Sequence, residues 1–317
     1  MYNEDLKRRF FREKISSQPW KITKSEAVFS AFEPYEEEWK SDLCTKNSEE
    51  LQPILDKTTG FRSQGINATV LVLKEYISWC ISEGVPNANP KALNLSCKGV
   101  EQMKEKTVAS PLHLQQYLDA ICEPEDRKAT DNTYRCYYWL AYGGMDEEDI
   151  LQVKTSDVDF RNMIVKYPQK NTVIKIYPEA LKAFHNCVEL SSFNYIHSNY
   201  TKEVFKPRVD GDLLIRGISA QPALATLRVE MSRRAKVNRD KTPLKLSCYR
   251  VKLSGLFYRI YEREVIGVLP NFESIVEDTY KNEYPKDKAE IKALNKKKSM
   301  AIKGYRDDYD RWKLAWH

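Results

Sequence analysis

Apolar residues return at helical spacing along most of this chain. The clearest case is "QGINATVLVLKEYISWCISEGVPNANP" (64–90), where Ile66, Val70, Leu73, Ile77 and Ile81 mark one helical face. Gly84 supplies a C-terminal cap, and Pro86 and Pro90 prevent continuation. Segments 3–15 and 22–43 also predict helices, so the N-terminal third reads as a small all-helical domain. "CKGVEQMKEKTVAS" (97–110) is polar and lacks apolar periodicity, which predicts a linker. Ser110-Pro111 then reads as a cap followed by proline at the first helical position, with Leu114, Tyr117, Leu118 and Ile121 on one side.

Residues 131–142 predict a helix stopped by Gly143-Gly144. "DEEDILQVK" (146–154) predicts another, capped by Asp146 and carrying acids in its first turn, where the helix dipole favours them. "MIVKY" and "TVIKIY" flank "PQKN", a strand–turn–strand signal. Helices are expected again at "PEALKAFHNCVEL", at 221–237 and at 246–264. The fold class is therefore mainly α, with one small antiparallel β-hairpin. A chain of 317 residues is too long for one comfortable core. The expected division is 1–98, a linker at 99–110, and 111–317.

Charge changes the picture because of where it lies. The net charge is +6, yet residues 1–100 carry 14 Lys/Arg and 14 Asp/Glu. Residues 231–260 hold nine cations against Asp240 alone, with Tyr249, Phe257 and Tyr258 interleaved. Basic residues interleaved with aromatics are the footprint of phosphate contact. Arg233, Arg234, Lys236, Arg239, Lys241, Lys245 and Lys252 are the candidate DNA-contact residues. The seven cysteines are scattered, with no CxxC pair, and read as reduced thiols of a cytoplasmic protein. His185 and Cys187 could form half a metal site, but no second half is evident, so no metal or other cofactor is expected. The start is too charged for a signal peptide, and no aliphatic stretch is long enough for a membrane span. No GxxxxGK[ST] or GxGxxG occurs, which removes the usual nucleotide folds.

The order of these parts resembles the tyrosine recombinase (phage integrase) family. The most specific piece is "YGGMDEEDILQVKTSDVDF", similar to that family's first box: a Gly-Leu-Arg turn, an acid three residues later, a Leu-x-x-Leu helix and an Asp-hydrophobic-Asp close. Gly144-Met145, Asp149, Leu151, Val153, Asp157 and Asp159 fit, while Asp146 stands at the arginine position. Lys170, in the hairpin turn, matches the family's lysine. "SCYR" resembles the His-x-x-Arg box, with Arg250 retained and Ser247 in place of histidine. The tail "LNKKKSMAIKGYRDDYDRW" resembles the close of lambda-type integrases, with Lys296 at the second histidine position and Tyr305 as candidate nucleophile. Tyr280 and Tyr309 are the other candidates. Arg250 and Tyr305 are 55 residues apart, well beyond the family's usual separation, so an insertion around 272–290 is implied.

The resemblance implies a helical, SAM-like core-binding domain followed by a recombinase catalytic-type domain. It implies double-stranded DNA as partner, a homo-oligomer of up to four copies on that DNA, and no membrane. The activity implied is site-specific recombination or integration of phage or mobile-element DNA. A tyrosine attacks a DNA phosphate, cations hold the transition-state charge, and the lysine protonates the leaving oxygen. Asp146 and Ser247 remove one cation and one donor from that scheme. Arg135, Arg161, Lys154 or a metal held by Asp146 would have to make good the loss. Two other readings stand beside it: a non-catalytic DNA-binding accessory or regulator on the same fold, and a helical protein–protein adaptor.

Overall fold

The computed structural model describes residues 1–16, 18–58, 63–96, 99–122, 129–189, 192–196, 203–207, 212–215 and 220–317. Its first helices are α1 (Glu4–Phe10), α2 (Pro19–Trp39), α3 (Ser48–Thr58), α4 (Ser63–Ser82) and α5 (Val100–Lys106). The middle of the chain holds α6 (Pro111–Ile121), α7 (Ala129–Gly143), the single turn α8 (Glu147–Ile150) and α9 (Leu181–Glu189). Then come α10 (Ala220–Val237), α11 (Cys248–Val265), α12 (Phe272–Tyr280) and α13 (Lys288–Trp316). Strands β1 (Val158–Asp159), β2 (Ile164–Tyr167) and β3 (Thr172–Lys175) form one antiparallel sheet. Strands β4 (Ser192–Ile196) and β5 (Glu203–Pro207) form a second, which the sequence pattern did not signal. Among the described residues no helix is long and apolar enough to cross a membrane.

The chain forms two compact units. One joins Met1–Met103 to Asn271–Ala315, and the other joins Lys104–Pro270 to Trp316–His317. Residues 271–315 group with the N-terminal residues rather than with 111–270, as the expected division had them. The expected linker also differs. Val100–Lys106 is helical, and Met103, Thr107 and Val108 are fully buried. A few apolar side chains in a polar stretch were enough to dock it.

The first unit is built on aromatic contacts. Phe10, Phe29 and Tyr76 meet edge-on, with ring centroids 4.9–6.3 Å apart. Helix α4 ends as its sequence predicts: Gly84 takes φ +65°, and the Val85 N–H returns to the Cys80 carbonyl at 3.0 Å. Beneath this core lies a buried ion pair. Lys7 and Glu36 are both fully enclosed and in contact, and Lys7 Nζ also donates to the Tyr2 carbonyl at 2.8 Å. Glu36 accepts from the Leu43 N–H at 2.9 Å, while Asp42 accepts from the Tyr76 hydroxyl at 2.9 Å. This network ties α1 to the end of α2 and to α4.

The second unit is organised around α7, in which every residue from Asp131 to Tyr142 is buried. A helix enclosed on all sides must be packed from several directions, and α9 and α11 supply two of them. Gly255 makes the α11 contact possible, because a Cβ there would stand 1.9 Å from the Tyr142 carbonyl oxygen. In the hairpin, Val165, Tyr167 and Ile174 face inward while Lys166 and Lys175 are exposed, the alternation a half-buried sheet requires. The expected helix over 146–154 shortens to one turn. The backbone leaves it so that Thr155 N–H can reach the Asp212 carbonyl and Leu214 N–H the Val153 carbonyl, each at 2.7 Å. Tertiary pairing overrides the helical pattern there.

Two outcomes test this account. Lys7→Ala leaves a carboxyl buried without its cation, and should destabilise the chain by about 3–5 kcal/mol in urea unfolding. Burial pushes Glu36 up to about 7 despite Lys7 beside it. Between its ordinary 4.5 and about 7 the folded state therefore holds the extra proton, and stability falls as pH rises through that window. The Lys7→Ala loss should accordingly be larger at about pH 8 than at about pH 5. Gly255→Ala should lower stability by about 1–3 kcal/mol or more through overpacking, whereas Gly65→Ala, where a Cβ meets nothing within 4 Å, should not.

Candidate nucleic-acid interface

The turn between α7 and α8 holds the first group of candidate residues. Gly144, at φ +111°, ends α7, and the Met145 N–H closes on the Leu140 carbonyl at 3.1 Å. Met145 is fully buried and anchors the loop. Asp146 occupies the N-cap position of α8, but its side chain makes no capping hydrogen bond. It turns instead to two lysines: Lys170 Nζ lies 2.8 Å from one oxygen, and Lys252 Nζ contacts the other. Lys170 arrives from the β2–β3 turn, which Asn171 closes in the left-handed region at φ +48°. The Tyr167 hydroxyl lies 3.3 Å from Asp146 and also bonds Asp149.

Glu147 is matched as well. It accepts from Arg228 Nε at 2.9 Å and contacts the Tyr137 hydroxyl. Asp146, Glu147 and Asp149 thus have a local explanation in paired cations and hydroxyls. Burial raises the Asp146 carboxyl, but hydrogen bonds from Lys170 and Lys252 outweigh it and hold the group at about 2. Asp146 is therefore ionised at every physiological pH, and its charge offsets one of the two neighbouring ammonium charges.

Arg250 stands in a different environment. Ser247 is the N-cap of α11 and accepts from the Arg250 N–H at 3.4 Å. The Arg250 guanidinium donates from Nη1 to the Lys245 carbonyl at 2.5 Å. Burial lowers the Arg250 pKa, and Lys106 is lowered by burial first and then by the charges of Arg250 and Lys245. Lys245 carries one compensating contact, with Glu105 at 3.0 Å. Three cations thus converge beside the start of α11, where exposed Tyr249 also stands. Lys106 was missed in the sequence because it lies in the segment read as a linker and in no motif.

Helix geometry explains why Asp146 meets Lys252 and not Arg250. At about 100° per residue, positions two apart point in directions about 200° apart. Arg250 and Ser254 share one face, and Ser254 Oγ accepts from the Val108 N–H at 3.1 Å. Lys252, Gly255 and Arg259 share another, and Arg259 donates to the Tyr142 carbonyl at 2.6 Å. The two faces serve separate charge clusters.

The remaining candidates divide by environment. Arg234 is largely enclosed, 2.9 Å from fully buried Asp131 and over the Tyr134 ring, which makes it part of the packing. Arg233 lies 2.7 Å from Glu230 on its own helix. Lys236, Arg239 and Lys241 are exposed. Of the proposed substitute cations, Arg135 is buried 2.6 Å from Asp119, Lys154 lies 3.3 Å from Asp212, and Arg161 is exposed. None of these contacts Asp146 among the described hydrogen bonds and ion pairs. No group of three or more metal-ligating side chains occurs among the described residues, and His185 stacks on Phe160 at 3.8 Å. His197 lies outside the described residues.

The candidate nucleophiles are in the other unit. Tyr305 and Lys296 lie on α13, Tyr305 half-buried and Lys296 exposed. Tyr280, at the end of α12, is half-buried, while Tyr309 is 1% exposed between Phe272 and Trp312 and packs as core. Asp146, Lys170 and Lys252 are thus one cluster, and Lys106, Lys245, Ser247 and Arg250 are a second.

A carboxyl titration tests the first cluster. Because the folded Asp146 pKa lies below its ordinary 3.8, its contribution to stability is full above that value and is lost as pH falls toward about 2. Carbon-detected NMR should show the Asp146 carboxyl titrating near 2 in the parent. In Lys170→Ala/Lys252→Ala it should titrate at or above its ordinary value.

No curated protein matches the chain. Residues 1–82 match the family model described as "MrpR, N-terminal core-binding domain", and the N-terminal part of the chain is thereby similar to core-binding domains of the tyrosine-recombinase type.

Proposed function

We propose that this chain is a DNA-binding protein of the recombinase type that holds duplex DNA without cutting it, acting as an accessory or regulator. The observation that carries this reading is the Asp146 carboxylate set between Lys170 and Lys252. Phosphoryl transfer needs cations aimed at the phosphate, and removing one preorganised donor costs roughly 3–4 kcal/mol. Here the first-box position supplies the opposite charge and engages the very lysine that would protonate the leaving oxygen. An incoming phosphate would meet a carboxylate already occupying the anion position.

Binding asks for much less than cleavage. Cations that release counterions from the DNA backbone suffice, without alignment on a reacting atom. Lys106, Lys245 and Arg250, with exposed Lys236, Arg239 and Lys241, supply them. The match of residues 1–82 to a core-binding domain supports the same conclusion from a separate part of the chain.

The test uses duplexes selected by the protein from a random-sequence pool. Binding should weaken steeply with salt. Arg250→Ala and Lys106→Ala should each lower affinity and reduce the logarithmic salt slope by about 1. A nicked version of the selected duplex should give no covalent protein–DNA adduct. An adduct lost in Tyr305→Phe would establish strand cleavage and defeat the proposal. Absence of duplex binding even at low salt would leave the adaptor reading.

A further inference from the structure

A cleft of about 540 Å³ opens in the first unit, lined by Phe10, Lys14, Lys21, Lys74, Glu75, Ser78, Trp79 and Ser82. Its three lysines come from three separate segments: Lys14 from the π-helical turn after α1, Lys21 from α2 and Lys74 from α4. Lys74, Ser78 and Ser82 follow at four-residue steps, so they stand one above another on the same face of α4. Glu75 balances one lysine, with Lys21 Nζ at 2.6 Å. Neither Lys14 nor Lys74 has a carboxylate within ion-pairing distance among the described residues. Glu13, the nearest acid in sequence, is taken by Arg9 at 2.8 Å and by the Trp79 indole N–H at 3.1 Å.

Like charges brought together repel, so a fold gains nothing by converging three lysines on one cleft unless an anion joins them. The floor is apolar, since Phe10 and Trp79 are 0% and 2% exposed. The Ser82 hydroxyl donates to the Trp79 carbonyl at 2.8 Å, which leaves its oxygen lone pairs available, and Ser78 is exposed to the opening. Lysine ammoniums are compact charges on flexible stems, suited to a carboxylate or phosphate presented from varied angles. The volume falls within the range of small-molecule sites, on the order of 300–1,000 Å³.

We propose that this cleft binds a small organic anion, a carboxylate or phosphate carried on an apolar body. The site belongs to the first unit, the Asp146 and Arg250 clusters belong to the second, and the proposal does not rest on the DNA-binding reading. The probe is 8-anilinonaphthalene-1-sulfonate, which joins one anionic group to an apolar ring system and fluoresces on burial. The full-length protein should bind it saturably at one site. Lys14→Gln/Lys74→Gln should weaken that binding by about tenfold or more, and Ser78→Trp, which fills the cleft without changing its charge, should abolish it. Far-UV circular dichroism confirms that each variant keeps its helices, and either variant alone decides the matter if the other fails to fold. Dye binding that survives in the folded variants, or that never saturates, overturns the proposal. So does stoichiometric displacement by duplex DNA, which would make these lysines backbone contacts.

Discussion

The approach of α11 to α7 at Gly255 is the constraint on which the second unit depends. With 1.9 Å between a notional Cβ and the Tyr142 carbonyl, no other residue lets the two helices lie at this separation. Once that contact is made, the rotation of α11 is set, and with it the direction of every charged side chain it carries. Arg259 reaches the end of α7 and satisfies a terminal carbonyl. Lys252 is delivered to Asp146, and Arg250 to the opposite side, beside Lys106 and Lys245.

That division separates two electrostatic regimes only two residues apart in sequence. On one side a carboxylate sits between two ammoniums and offsets one of their two charges. On the other, burial lowers the pKa of Lys106, and the charges of Arg250 and Lys245 lower it further while Glu105 raises it. On the proposed reading, a phosphate approaching the first cluster displaces an existing partner, while one approaching the second meets three cations. Under the proposed function, the second cluster serves polyanion binding and the first no longer presents an open cation site to a phosphorus centre.

The first unit shows the same economy with buried charge. Lys7 and Glu36 are enclosed together, and the carboxyl is satisfied further by a backbone N–H. A buried pair of this kind adds little to stability over an apolar substitute, but it penalises any packing that separates its members. It therefore specifies how the first helix sits. The lysines at the cleft are the contrasting case, a convergence of one sign that the described fold leaves only partly answered.

Much of this was legible in the sequence. Periodicity placed α4, α6, α7 and α11, and the caps at Ser110 and Gly84 fall where their residue types predicted. The β2–β3 hairpin followed from apolar runs around "PQKN". These features depend on neighbours within a few residues, and local pattern records such interactions faithfully. The length of α8, the docking of 100–108, the β4–β5 ladder and the grouping of 271–315 did not follow, because each rests on partners tens to hundreds of residues away. The same holds for charge. The sequence announced an aspartate where a cation was expected and a basic run at 231–260, but could not say that Arg234 is enclosed with Asp131 while Lys106 joins Arg250. Whether a lysine meets a carboxylate or another lysine is settled by helix rotation and packing, because Coulomb energy depends on distance in space and not along the chain.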